Sequence, residues 1–444
     1  MSELPDGWVS AQIGSICTLN NGRAFKPLDW GSSGLPIVRI QNLNNPSATF
    51  NYFDGEFDAK HHLKGGELLF AWSGTPGTSF GAHVWRGGEA VLNQHIFRVD
   101  FDEKLLDKRF LRHAINQTLD HLIDIAHGGV GLRHVTKGKF ENTSIRLPPK
   151  AEQKRIADKL DSVLARVDAC RDRLDRIPAL LKRFRQSVLN AATSGELSAD
   201  WRASEALHGW APVMIKEICV SISDGDHQAP PQVDQGISFI TISAFSSGRL
   251  DLNKATRCVP QSYFEQLKPM RRPSLGDVLY SVTGSIGISA LVDTDRPFAF
   301  QRHVALLKPD LSRVSSAYLR YLLGSDGVRR QAADVATGSA QLTIPLNGLR
   351  AFNALLPCLA EQHEIVRRVE TLFAFAGRLE ARCAAARKQA GQLTPALLAK
   401  AFRGELVPQD PADEPAAELL KRLAARRADA PKARRGKARA STGV

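Results

Sequence analysis

The chain repeats itself, and no other feature of its sequence restricts the fold as much. Gly7-Trp8, Ile13, Ile16 and Cys17 return as Gly209-Trp210, Ile215, Ile218 and Cys219, a shift of 202 residues. The run from Gly34 to Ile40 is matched by Gly236 to Ile242 at the same shift. Gly66, Gly74 and Gly77 correspond to Gly276, Gly284 and Gly287, shifted by 210. Asn93-Gln94-His95 corresponds to Gln301-Arg302-His303, and Phe110-Leu111-Arg112 to Tyr318-Leu319-Arg320, both at 208. Leu147-Pro148 with Ala151-Glu152-Gln153 becomes Leu356-Pro357 with Ala360-Glu361-Gln362, and Gly195-Glu196-Leu197 becomes Gly404-Glu405-Leu406, both at 209. Ordered matches at a nearly constant spacing mark a tandem duplication of a unit of roughly 200 residues.

Each copy changes character part-way. Its first three-quarters alternates short β-rich runs (37–40, 68–71 and 97–99 in the first copy) with Gly, Asn and Pro turns, and holds one helical stretch at 105–124. The remainder reads as helix. Ile156, Leu160, Val163, Val167, Cys170, Leu174, Ile177 and Leu181 are spaced alternately by four and three. Ile365, Val369, Leu372, Ala376, Leu379, Cys383, Ala386, Ala390 and Leu393 follow the same rhythm. A stripe repeating every 3.5 residues faces a partner helix continuously. An amphipathic helix lying on a globular domain would carry a similar stripe, but two stripes of one period in two copies favour mutual pairing. Pro178 and Pro395 are expected to end one helix and open another, since proline suits a first turn and disrupts an interior.

The expected fold is therefore α+β: a mixed α/β domain followed by a long helix, twice, with the long helices paired as an antiparallel coiled coil about a pseudo-two-fold. The segments are 1–150, helical 151–199, 200–359, helical 360–408, and a basic tail 409–444. A helix over 152–177 would be about 39 Å long at 1.5 Å per residue. One turn of B-DNA is roughly 34–36 Å, so such a rod could hold two readers at successive major grooves.

Charge permits that reading without establishing it. The net charge is +13, but residues 421–444 hold nine Lys/Arg and one acidic residue, supplying +8 and leaving about +5 for the rest. Such a tail is equally compatible with a polyanion-binding arm and with a solvated, disordered end. No stretch of about 18 apolar residues is present for a membrane span. Residues 1–10 lack a signal peptide's basic and apolar regions, and the six cysteines form no C-x-x-C pair. A cytoplasmic protein with reduced thiols is expected.

At Leu147-Pro148, Glu152-Gln153 and Ile156, and again from Leu180 to Gly195-Glu196-Leu197, the sequence resembles the specificity subunits (HsdS) of type I restriction–modification systems. The second copy departs from that pattern by being shorter between Pro395 and Gly404. The resemblance covers residues 1 to about 408. It implies two target recognition domains, each reading one half of a bipartite double-stranded DNA target, with helices setting the unread spacer. Two methyltransferase subunits would dock near the helices and restriction/translocase subunits would join them. The resemblance implies no cofactor and no catalytic residue in this chain; S-adenosylmethionine, ATP and Mg2+ would belong to the partners.

The sequence contains no G-x-x-x-x-G-K-[ST] phosphate cradle and no Asn/Asp-Pro-Pro-aromatic stretch suited to amino-group methylation. His61-His62 lack a second ligand pair at metal spacing, so no metal site is expected. Reading bases calls for side chains with paired donors and acceptors, on loops held by a rigid scaffold. Candidates are Arg23, Lys26, Arg39, Gln41, Asn42, Asn93, Gln94, His95, Arg133 and His134 in the first copy. In the second they are His227, Gln228, Gln301, Arg302, His303, Gln341 and Thr343. Any single one of these is more readily a solvated loop residue, and the matched triplets suit base contact or a shared hydrogen-bond network alike. Glu152, Gln153, Gly195, Glu361, Gln362 and Gly404 are candidates for partner docking, or are helix-terminus residues. The competing reading is a coiled-coil adaptor whose paired domains bind proteins.

Overall fold

Leu68–Ala71 is a run of four buried apolar residues, and a strand buried along its whole length belongs in the middle of a sheet. The computed structural model places it there, in the antiparallel order Thr18–Asn21, Ile96–Asp100, Leu68–Ala71, Gly81–Val84. A second sheet runs Asn51–Phe53, Leu35–Val38, Ala90–Leu92, His62–Leu63, with Leu35–Val38 and Ala90–Leu92 parallel. Two short antiparallel pairs complete the β structure, Val9–Gln12 with Ser144–Leu147 and Ser73–Gly74 with Arg133–His134. Helix Lys108–Gln117 is capped by the Asp107 carboxylate and buries Phe110, Leu111, Ala114 and Ile115 in the core.

These elements belong to one of two compact units, built from residues 1–172 and 388–444; the other unit is 173–387. The structure describes the chain except for residues 1–2, 46, 75–79, 125–132, 207–208, 227, 340 and 430–444. In the second unit Val278–Ser281 is likewise buried along its whole length. Its antiparallel sheet runs Cys219–Asp224, Val304–Pro309, Val278–Ser281, Ser289–Leu291. Arg257–Val259, Ile237–Ile240 and Phe298–Phe300 form another, the last two parallel, and Ala211–Met214 pairs with Asn353–Leu356. Helix Ser316–Leu323 is capped by Ser315.

The long helices are Lys150–Ser194 and Leu359–Ala401, each unbroken. Pro178 and Pro395 lie inside them, contrary to the expected breaks. Proline removes one backbone bond and crowds the carbonyl four residues earlier, costing about 3 kcal/mol. Packing on both sides of the proline outweighs so local a penalty.

In the first unit Ile156, Ala157 and Leu160 are buried with Phe110, Ala401 and Phe402. In the second, Ile365 and Val369 are buried with Val188, Ala192 and Tyr318. The first turns of each apolar stripe thus serve the domain core as well as the neighbouring long helix. Further along, Val167 is buried, Val163, Leu174, Leu372 and Leu379 are half-buried, and Cys170 and Leu393 are exposed. The stripes therefore do not bury their whole length.

Helix Ala416–Asp429 corrects the reading of 409–444 as a plain basic tail. Its Ala416, Leu419 and Leu423 are buried in the core of the first unit. Ala416 N donates to Gly7 O at 2.9 Å, and the Arg427 guanidinium donates to the carbonyls of Gly14 and Cys17 at 2.6 and 2.7 Å. Arg155 pairs with Asp413 at 2.6 Å. Spacing by three and four makes an apolar face that a count of charges conceals. No described helix is long and apolar enough to cross a membrane.

Candidate nucleic-acid interface

The matched triplets occupy one structural position in the two units. In the first, Asn93 N donates to Val38 O at 3.1 Å, Ile96 N to Asn93 O at 3.2 Å, and Trp72 N to His95 O at 3.3 Å. Arg23 N donates to Leu92 O at 2.8 Å. In the second, Gln301 N donates to Ile240 O at 3.0 Å, Val304 N to Gln301 O at 3.0 Å, and Val282 N to His303 O at 2.9 Å. The main chain of each turn is spent on the scaffold, so the half-exposed Asn93, Gln94, His95, Gln301 and His303, and the exposed Arg302, are carried by a fixed backbone. Burial, and then the neighbouring Arg302 charge, lowers the pKa of the His303 imidazole below its ordinary value.

A glycine makes each turn possible. A Cβ on Gly22 would lie 2.1 Å from Asn93 O, and one on Gly225 would lie 2.2 Å from Phe300 O. Only a bare α-carbon allows that approach.

Around Asn93–His95 the first unit forms a hollow of about 210 Å³, lined also by Phe25, Trp30, Arg39 and Gln41. Arg133–His134 pairs with Ser73–Gly74 on the other side of Trp72, whose carbonyl accepts from Val135 N at 3.0 Å. In the second unit Ile344 N donates to Val282 O at 2.7 Å, which brings Thr343 and the exposed Gln341 to the corresponding side of Val282. Thr343 is held by backbone bonds with Thr337 at 2.8 and 2.9 Å. Gln228 lines a hollow of about 600 Å³ with Asp226, Tyr263 and Arg271. His227 lies outside the described residues.

That second hollow holds groups the sequence reading missed. The Tyr263 hydroxyl donates to Asp226 Oδ2 at 2.9 Å and Arg271 donates to Asp226 Oδ1 at 2.5 Å. Burial, with Asp226 beside it, pushes the Tyr263 phenol up to about 12. No motif marks this group, because 37 and 45 residues separate the partners from Asp226.

Other candidates are held by internal contacts. Asn42 is buried; its side-chain oxygen accepts from Arg39 N at 3.0 Å and its amide donates to Thr49 O at 3.2 Å, so it braces a loop and is no free reader. The Arg23 guanidinium lies 4.3 Å from the Phe53 ring centroid and donates to Glu56 O at 2.6 Å. Lys26 is exposed, its backbone N–H bonded to Asp29 at 2.7 Å.

Glu152, Gln153, Glu361 and Gln362 are likewise buried, which takes them away from any docking surface. Gln153 accepts from Asp107 N and donates to Pro148 O, both at 2.9 Å. Gln362 accepts from Ser315 N at 2.8 Å and donates to Pro357 O at 2.9 Å. Each amide ties the start of a long helix to the cap of an earlier one, Lys108–Gln117 in the first unit and Ser316–Leu323 in the second. Trp8 donates its indole N–H to Glu152 at 3.0 Å, and Ser198 and Arg202 donate to Glu361 at 2.7 and 2.8 Å. Gly195 and Gly404 have φ of 88° and 76° just beyond the ends of the long helices, the left-handed cap position. Among the described residues no group of three His, Cys, Asp or Glu side chains is placed to hold a metal ion.

The mixed α/β fold with long helices is similar to that of solved HsdS structures. The crystal structure of the HsdS subunit from Thermoanaerobacter tengcongensis superimposes with a TM-score of 0.59 at 21% identity, covering 91% of this chain and 99% of that one. A chain solved in work on complex assembly and conformational transition of the type I R-M system gives 0.62 at 20%, covering 91% and 100%. Residues 5–179 match the family model for the type I restriction modification DNA specificity domain. The type I restriction enzyme EcoBI specificity subunit of Escherichia coli is 31% identical over 95% of this chain and 93% of its own. For the EcoKI subunit of E. coli strain K12 the figures are 31%, 96% and 97%. The chain belongs to the family of type I restriction enzyme specificity subunits.

Proposed function

We propose that this chain chooses the DNA sequence on which a type I restriction–modification enzyme acts. The observation that carries the proposal is the 31% identity to specificity subunits along 95% of the chain. Residues 1–150 and 200–359 would each read one half of a bipartite target. The long helices would set the unread length between the halves and dock two methyltransferase subunits, with restriction/translocase subunits joining that core. The chain itself would act without a catalytic site, in the cytoplasm; S-adenosylmethionine, ATP and Mg2+ would be bound by the partners.

The tandem duplication is supported by the matched sheets and by turns with the same backbone bonds in both units. Antiparallel pairing of the helices is supported within the first unit by Arg171 donating to Ala390 O at 3.0 Å. Within the second, Asp175 pairs with Arg387 at 2.8 Å and Arg185 with Glu380 at 2.7 Å. Rising numbers on one helix meet falling numbers on the other. The named relatives are all specificity subunits, which favours this reading over a protein-binding adaptor.

The test replaces residues 1–150 by the matching segment of another specificity subunit and maps methylated adenines across the genome. One half of the modified sequence should change while the other half and the spacing stay. An unchanged motif overturns the proposal.

A further inference from the structure

Arg39 differs from Arg23 and Arg98 of the first unit in how its guanidinium is held. Arg98 is held by Asp100 at 2.8 Å and by His62 O at 2.9 Å, and Arg23 is stacked on Phe53 and bonded to Glu56 O. Arg39 has no carboxylate partner among the described residues, and its one side-chain bond, to Asn51 Oδ1, is long at 3.4 Å. Its guanidinium carbon lies 5.3 Å from the centroid of the Trp30 ring. Trp30 is 40% exposed and is presented by the turn Pro27–Asp29, which Asp29 closes back onto Lys26 N at 2.7 Å. Both side chains line the hollow that holds Gln41, Gln94 and His95.

An arginine resting against an aromatic ring keeps its planar fork oriented while its N–H edge stays free. That edge matches the paired acceptors O6 and N7 of guanine in the major groove. Pre-ordering by the ring lowers the entropy lost on contact, which a flexible surface arginine would forfeit. We infer that Arg39, held by Trp30, reads a guanine in the half-target assigned to residues 1–150. The inference rests on the function proposed above and adds the base and the residues that read it.

Arg39→Gln, Arg39→Ala and Trp30→Ala are made in the full chain, expressed with its methyltransferase partner, and methylated adenines are mapped genome-wide. Arg39→Ala should relax one G·C pair, its discrimination falling roughly 5- to 150-fold. The other half-target should be read as before. Trp30→Ala should relax the same pair more weakly. Arg39→Gln should move the preference there from guanine toward adenine, because a carboxamide pairs with adenine N6 and N7; misfolding cannot produce that gain. An unchanged motif in all three variants overturns the inference, as does uniform weakening at every position with a shallower salt dependence, the mark of a phosphate contact. If Arg39 is silent while the 1–150 exchange still alters one half-target, the inference fails alone. If that exchange changes nothing, the underlying function fails.

Discussion

At the scale of single residues, the buried glutamines show how a polar side chain can serve the fold instead of the surface. Gln153 and Gln362 each satisfy a helix-cap amide and a proline carbonyl inside the protein. Gln153→Ala orphans both groups in the first unit and Gln362→Ala the equivalent pair in the second, at about 1–3 kcal/mol for each group left without a partner. Hydrogen exchange should show the Asp107 amide losing protection in the first variant only, and the Ser315 amide in the second only. The matched Ala-Glu-Gln segments were legible as a repeat, but their burial was not, because polarity alone reads as solvent exposure. The triplets Asn93–His95 and Gln301–His303 were legible as an equivalent pair because their spacing survives in both copies. The stack of Arg39 on Trp30 was not, since it depends on how the turn Pro27–Asp29 folds back.

At the scale of elements, periodicity disclosed the long helices, while a local rule misplaced their ends. Pro178 sits within an unbroken helix, where it withholds a backbone bond and crowds the carbonyl of Leu174. Pro178→Ala should raise the melting temperature of the full chain, the gain bounded by the helix-interior penalty of about 3 kcal/mol. A lower melting temperature would mean that proline stiffening of the unfolded chain outweighs its cost in the helix. The heptad spacing is legible along both long helices, although Cys170 and Leu393 on it are exposed. The stripes' division of labour is not, because Ile156 and Ile365 look alike whether they face a helix or a domain core.

At the scale of the whole molecule, a tail judged by its charge contributes to a hydrophobic core. Deleting residues 409–444 removes Leu419 and Leu423 from the first unit, each worth roughly 1.5–3 kcal/mol of burial. Deleting only 430–444 leaves those contacts in place. Thermal melts of the two truncated chains should therefore differ, with the longer deletion lowering the transition of the first unit and the shorter one sparing it. Equal melts would show that the helix Ala416–Asp429 adds nothing to stability. The sequence repeat is legible from its first matches, yet the partition into units is not. Each unit takes the opening part of one long helix and the closing part of the other, a pattern no linear scan of composition displays.

That partition has a consequence for synthesis on the ribosome. Residues 173–387 form an uninterrupted stretch and can reach their native contacts once they have emerged. The other unit must wait: Ile156 and Leu160 leave the ribosome long before Ala401, Phe402 and Leu419, which share their core. Through that interval the amino-terminal segment carries an unfinished apolar surface, so the half of the protein made first is the half completed last.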